Sequence, residues 1–215
     1  MTRAETMALI GATRAVGIVR SPDEQTGTKV AEGIVHGGLP VIEVSLTTPG
    51  AVRIIEHLVS EPGVCAGAGT VMTVAQVHQM ADIGVSFIVT PHLDEEIVAA
   101  GLERGIVMGP GVFTATECAR ALAAGADLLK LFPAGIAGVS GMKALMDPFP
   151  QARWLPTGGV GSENIAQWLD AGALAAGVGS DLTRGGIEQA EDRARHLVST
   201  LAGIPRKAPQ RGANQ

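Results

Sequence analysis

The chain predicts an α/β fold: a (β/α)8 barrel of the TIM type with an extra helix at its N-terminus. Three observations carry this reading. A unit recurs in which a helix-like stretch ends in Gly and an apolar, strand-like run begins. It appears at Gly38 before VIEVSL, Gly84 before SFIVTP, Gly105 before IVMGPG, Gly125 before ADLLKLFP and Gly172 before ALAAGVGS. The spacings are 46, 21, 20 and 47 residues, so the long ones read as two units each. The chain has 215 residues and 46% hydrophobic content, enough for one sizeable core.

Taken in order, residues 1–14 read as the extra helix and Val16–Arg20 as the first strand. VIEVSL is the second strand. Gly63 before VCAGAGT supplies the third, and Phe87–Thr90 the fourth. The runs after Gly105 and Gly125 are the fifth and sixth. Phe149-Pro150 before ARWLPTGG marks the seventh, and the run after Gly172 the eighth. The last helix falls around Ile187–Ala202. Glycine at each junction suits the left-handed residue that ends a helix. Strands alternating with helices predict parallel pairing through crossover helices, and eight such units in ~200 residues fit a compact barrel. A doubly wound open sheet is the runner-up, but Ser21-Pro22-Asp23 after the first strand is no dinucleotide fingerprint. The chain is read as one domain, 1–215. Its polar, Pro-containing end, 203–215, is taken as a flexible tail.

Two charges stand where a barrel interior wants apolar residues. Lys130 lies within Leu128-Leu129-Lys130-Leu131-Phe132, and Glu43 within Val41-Ile42-Glu43-Val44. Lysine is seldom buried without a partner, and an amine kept from water favours its neutral form, a nucleophile toward a ketone. Side chains alternate along a strand, so Leu128, Lys130 and Phe132 share one face, as do Val41, Glu43 and Ser45. Strands two and six lie opposite each other in an eight-stranded barrel, and even-numbered strands fill common layers. The two charges therefore aim at one point near the C-terminal mouth. Chemistry is the favoured reading, with Lys130 as nucleophile and Glu43 as proton carrier. A buried ion pair without function is the competing one.

The phosphate signal comes later. Pro156-Thr157-Gly158-Gly159 follows the seventh strand and Gly177-Val178-Gly179-Ser180 the eighth, where barrels of this class hold phosphate. Asp181 fits that reading only if its carboxylate caps the last helix and points away. Gly67-Ala68-Gly69-Thr70 ends the third strand with small residues that leave room beside the lysine. Thr70 offers a hydroxyl to a small carboxylate, although the same residues suit a β-turn. Pro91 is either an apolar wall or a strand terminator.

Bulk properties exclude several classes. Net charge is −5, and four Phe, two Trp and no Tyr offer nucleic acid neither a basic patch nor a stacking platform. Cys65 and Cys118 stand 53 positions apart, and the five histidines, His92 among them, have no metal-ligand spacing. Neither a metal nor a cofactor is expected. No long apolar span or leader pattern appears, so a cytoplasmic protein without a membrane partner is expected.

Together VIEVSL, GAGTV, FIVTP, GPGVFTATE, LLKLFPA, PTGGV and GVGSDL, in this order, resemble the 2-keto-3-deoxy-6-phosphogluconate aldolase family, from about Val16 to Leu201. That family includes the 4-hydroxy-2-oxoglutarate and 2-keto-3-deoxy-6-phosphogalactonate aldolases. The resemblance implies a metal-free class I aldolase that is typically a homotrimer. On matching positions Lys130 is its Schiff-base lysine and Glu43 its general acid/base. Thr70 holds the pyruvyl carboxylate, and Pro91 and Phe132 pack on the pyruvyl portion. Gly158, Gly159, Gly179 and Ser180 hold a distal phosphate. The chain departs from the gluconate pattern at Thr47, where an Arg would bind carboxylate. The segments GVFTATE, NIAQWLDAG and GVGSDL look galactonate-like, while Thr157 looks gluconate-like. Arg20 is the candidate for the missing cation. The expected reaction is cleavage of a phosphorylated 2-keto-3-deoxy sugar acid to pyruvate and glyceraldehyde 3-phosphate. The alternatives are cleavage of 4-hydroxy-2-oxoglutarate to pyruvate and glyoxylate, a phosphate-binding barrel isomerase or synthase, and a non-catalytic barrel that binds a sugar phosphate.

Overall fold

The computed structural model describes residues 1–206. Helix α1 (Arg3–Thr13) opens on a capping box in which Thr2 and Glu5 satisfy each other's backbone N–H groups, and it ends at Arg14, in the left-handed conformation. The chain then alternates: β1 (Ala15–Val19), α2 (Glu24–His36), β2 (Val41–Ser45), α3 (Ala51–Ser60), β3 (Cys65–Gly69), α4 (Val74–Ile83), β4 (Phe87–Val89), α5 (Glu95–Glu103) and β5 (Val107–Gly109). It continues with β6 (Gly111–Val112), α6 (Ala115–Ala123), β7 (Lys130–Leu131), α7 (Ala134–Met146), α8 (Ile165–Asp170), β8 (Ala176–Val178), α9 (Ser180–Thr183) and α10 (Ala190–Gly203). The glycines that punctuate the repeat, at 38, 63, 84, 105, 125 and 172, all have positive φ, from 72° at Gly105 to 111° at Gly172. Five of them end a helix as expected, and Gly63 instead stands in the turn between α3 and β3, beyond the extended C-cap Glu61.

The strands pair in parallel in the order β5-β4-β3-β2-β1-β8, with β6-β7 as a second pair. Bridges Leu129↔Trp154 and Thr157↔Gly177 join the ends, and the Lys130 N–H donates to the Pro110 carbonyl at 3.0 Å. The ring closes as a (β/α)8 barrel. Three details differ from the sequence reading. Pro110 and Pro156 lack a ladder N–H, so the fifth strand splits into β5 and β6 and the seventh shrinks to isolated bridges around Trp154 and Thr157. A short α9 precedes the last helix, which begins at Ala190 after a 3-10 turn. Gly203, assigned to the tail, belongs to α10, and the tail from residue 207 lies outside the described residues.

Two apolar layers follow from strand alternation. Ile42, Val44, Leu129 and Leu131 point outward into the core under the helices. Val16, Val41, Cys65, Phe87, Val107, Leu128, Leu155 and Ala175 point inward and fill the barrel, joined by Ile10 of α1. The first helix therefore plugs the N-terminal end, fastened by an Arg3–Asp127 ion pair of 2.6 Å. Only the opposite end is left for a site. Both cysteines are free and buried, and burial pushes each thiol up to about 11, so they pack rather than react. Among the described residues no helix is long and apolar enough to cross a membrane.

Candidate active site

Lys130 is held by the β6–β7 ladder, opposite Gly111, with its side chain turned into the barrel between Leu128 and Phe132. Glu43 comes from β2, between Ile18 on β1 and Gly67 on β3. The two meet across the interior. Lys130 Nζ lies 3.5 Å from Glu43 Oε1, and the residues are only 5% and 2% exposed. The separation exceeds the ~2.8 Å of a tight charge-assisted bond, so the amine is paired yet not locked. Its Nζ also sits 5.7 Å from the Phe132 ring centroid.

Gly69 makes this arrangement possible. A Cβ there would stand 1.8 Å from Glu43 Oε1. The small residues ending β3 thus make room for the carboxylate, not chiefly for the lysine. Gly67 is needed for the same reason one layer below, where a Cβ would fall 2.4 Å from the Phe87 ring. In Gly69→Ala the methyl forces the Glu43 carboxylate aside, and turnover should fall about 10²-fold at an unfolding midpoint close to the parent's. Near-parental kcat would show that Glu43 does not work from the position it occupies.

A cavity of about 290 Å³ opens above the pair. It is lined by Arg20, Glu43, Thr70, Pro91, Lys130, Phe132, Thr157, Gly158, Gly159, Gly179 and Ser180. All but one of the residues singled out from the sequence therefore converge there. Thr47 is the exception: it stands at the surface, and its Oγ1 lies 2.8 Å from Ser45 Oγ. Gly177, from the glycine motif after the eighth strand, lines it too, while Ile18, Val160 and Thr183 also line the cavity and were missed. Ile18 shares a face with Arg20 by strand alternation, so the pattern held that signal. Thr183 follows Ser180 by one helical turn, on an α9 the pattern did not reveal. His92 contributes its backbone carbonyl, which accepts from Thr90 Oγ1 and from the Gly111 N–H. Larger grooves of about 450 and 440 Å³ run along α3 and α4. They are open and bring no nucleophile to a base, so the chemistry favours the smaller cavity.

Thr70 has φ +60°, a left-handed conformation unusual for a β-branched residue. Its hydroxyl lies 2.9 Å from Ser45 Oγ. At the far side, Gly158 and Gly159 have φ of 89° and 82°. The Gly158 carbonyl accepts from the Gly135 N–H at 2.8 Å and the Gly159 carbonyl from Asn164 Nδ2 at 2.9 Å. Their own N–H groups have no partner among the described residues, which leaves donors for an anion. Arg20 is exposed at the rim and makes no ion pair among the described residues.

Asp181 does point away from this cavity, but not by capping the last helix. Its Oδ2 accepts from the N–H and the hydroxyl of Ser162, each at 2.9 Å, tying the loop after the seventh strand to α9. Burial raises this carboxyl. The Ser162 bonds, with Arg193 and Arg184 nearby, outweigh that effect and hold it below the ordinary carboxylate range. Among the described residues no group of three or more His, Cys, Asp or Glu could hold a metal ion.

Residues 7–197 match the family model described as KDPG and KHG aldolase. The chain is 37% identical over 193 residues to the 2-dehydro-3-deoxy-6-phosphogalactonate aldolase of Escherichia coli, covering 88% of this chain and 92% of that one. A solved native KDPGal structure superimposes with a TM-score of 0.81 at 34% identity, over 88% of this chain and 95% of the other. A third similarity is to the KDPG aldolase of Legionella pneumophila, solved with pyruvate captured at low pH as a covalent carbinolamine intermediate. It has a TM-score of 0.77 and 28% identity, over 93% of this chain and 97% of that one.

Proposed function

Since the chain belongs to the KDPG and KHG aldolase family, whose members are carbon–carbon lyases, we propose that Lys130 is the Schiff-base nucleophile and Glu43 the proton carrier of its aldol cleavage. The substrate is a 2-keto-3-deoxy-6-phospho sugar acid of gluconate or galactonate type, and the products are pyruvate and glyceraldehyde 3-phosphate. The observation that carries this reading is the buried amine 3.5 Å from a buried carboxylate at the floor of a cavity.

The steps follow from the residue types. The Lys130 amine attacks the C2 ketone, giving a carbinolamine that loses water to an iminium. The iminium draws electrons from the C3–C4 bond. Glu43 takes the C4 hydroxyl proton, the bond breaks, glyceraldehyde 3-phosphate leaves and an enamine remains. Glu43 returns a proton to C3, and water releases pyruvate and the free amine. Thr70 takes the substrate carboxylate, while Pro91 and Phe132 cover the pyruvyl portion. Thr157 lines the same cavity, adjoining the loop of Gly158 and Gly159. The free N–H groups of Gly158 and Gly159, with Gly179 and Ser180, receive the phosphate. Arg20 supplies the cation that Thr47 does not.

A panel of cleavage assays tests the substrate: both phosphorylated epimers, an unphosphorylated sugar acid and 4-hydroxy-2-oxoglutarate. A phosphorylated epimer should give the highest kcat/KM, and preference for 4-hydroxy-2-oxoglutarate would move the chain to the other branch of its family. Ser180→Asp puts a negative charge beside the dianion. It should raise KM for phosphorylated substrate by on the order of 10-fold or more and spare the unphosphorylated analogue. Equal loss on both would detach Ser180 from the phosphate. We further propose a homotrimer working in the cytoplasm. Apolar side chains left open after β3, β6 and β7, namely Met72 and Phe113 on loops and Ile136 (78% exposed) in the first turn of α7, support an assembled state.

A further inference from the structure

We propose that Ser45 and Thr47 are positioning residues: their hydroxyls, linked in series to Thr70, make the Thr70 O–H a donor into the cavity, aimed at the carboxylate of a 2-oxo acid. This rests on the reading of Thr70 given above and extends it to two residues that do not touch the substrate.

Ser45 is fully buried at the mouth end of β2, on the same face as Glu43, and pairs in register with Gly69. A serine hydroxyl has one hydrogen and two lone pairs. Three neighbours compete for them: Thr70 Oγ1 at 2.9 Å, Thr47 Oγ1 at 2.8 Å and the Thr47 N–H at 3.4 Å. The amide can only donate, so it takes one lone pair. The remaining lone pair and the hydrogen must serve the two threonine hydroxyls, one each. Only two arrangements are then open. In the first, Thr70 donates to Ser45 and Ser45 donates to Thr47. The Thr70 hydrogen is consumed, and a lone pair faces the cavity, where it repels a carboxylate.

In the second arrangement, Thr47 donates to Ser45, Ser45 donates to Thr70, and the Thr70 hydrogen is free for an anion. Bonds in such a chain polarise one another, and a bond to a charged acceptor is about twice as strong as a neutral one. An incoming carboxylate therefore selects the second direction. Thr47, at the surface, is the terminus that lets the chain reverse, since water can accept from it or donate to it. Thr70 also has its backbone fixed at positive φ, next to a Gly69 carbonyl held by the Leu46 N–H at 2.8 Å. Its hydroxyl direction is thus left to Ser45.

The test is the pyruvate concentration that half-saturates borohydride trapping on the full-length protein, with neutral pyruvamide as the control ketone. Ser45→Ala should raise the value for pyruvate about tenfold and leave the maximal trapping rate and the pyruvamide value within about twofold. Ser45→Thr, which restores the hydroxyl, should return it to near the parent's. Thr47→Val, at an exposed position that carries little folding risk, should raise it about threefold and keeps the test open if Ser45→Ala does not fold. Thr70→Val should raise it at least as far as Ser45→Ala. No change in Ser45→Ala or Thr47→Val, with a rise in Thr70→Val, overturns the hydroxyl chain and leaves the Thr70 reading standing. No change in Thr70→Val removes the carboxylate contact itself, and the chain with it. An equal rise for pyruvate and pyruvamide means loosened packing and also overturns the inference.

Discussion

Lys130→Met should reduce cleavage by more than about 10⁴-fold and abolish covalent capture of pyruvate by borohydride. In the parent protein, reduction should add one pyruvyl group, mapped to the peptide that carries Lys130. Methionine keeps close to the volume of the side chain but has no amine, and so also lacks the cation that Lys130 places over the Phe132 ring. The substitution also leaves Glu43 in the interior without its partner. In fully enclosed pairs such a loss costs about 3–5 kcal/mol, and the cavity above this pair lessens it by admitting water. A denaturant melt run beside the assay separates lost chemistry from lost fold. Label on Lys29 or Lys143, or parental turnover in a folded Lys130→Met, would refute the assignment.

The second large effect belongs to Glu43→Gln. Glutamine preserves shape and burial but cannot carry the proton between the C4 hydroxyl and the enamine. Turnover should fall roughly 10²–10⁴-fold, the usual contribution of a positioned acid/base. Pyruvate trapping should persist, because the attacking amine and the carboxylate site stay in place. Retained turnover would leave Glu43 as a structural partner of the lysine. The structure adds a sharper form of the same experiment. Gly69→Ala acts only by displacing the Glu43 carboxylate, so it should cost little further in the Glu43→Gln background. Additive losses in the double variant would mean that the alanine damages the barrel mouth by another route.

Much of this is legible in the sequence. A charge inside an apolar strand run contradicts the local pattern, and Lys130 and Glu43 both did so. The period of two fixed which way each points, and the barrel's layer rule made them opposite. The observed contact between them is that inference realised. The loops carrying Gly158, Gly159, Gly179 and Ser180 were placed by counting strands, and the cavity gathers them. The split at Pro110 and the near loss of the seventh strand at Pro156 were visible as residues. Their weight was not, because whether a missing N–H breaks a ladder depends on the partner that faces it.

By itself, then, the sequence determined the barrel, the inward lysine and glutamate and the two glycine loops, because each is a matter of period, spacing and local backbone preference along one chain. Tertiary structure alone decided the rest. Gly69 yields its space to a carboxylate from β2, Asp181 turns to Ser162 instead of a helix end, and Ser45 links Thr47 to Thr70. Each of these depends on strand register and on distances of a few ångströms between residues far apart in the chain, and no one-dimensional pattern encodes those distances.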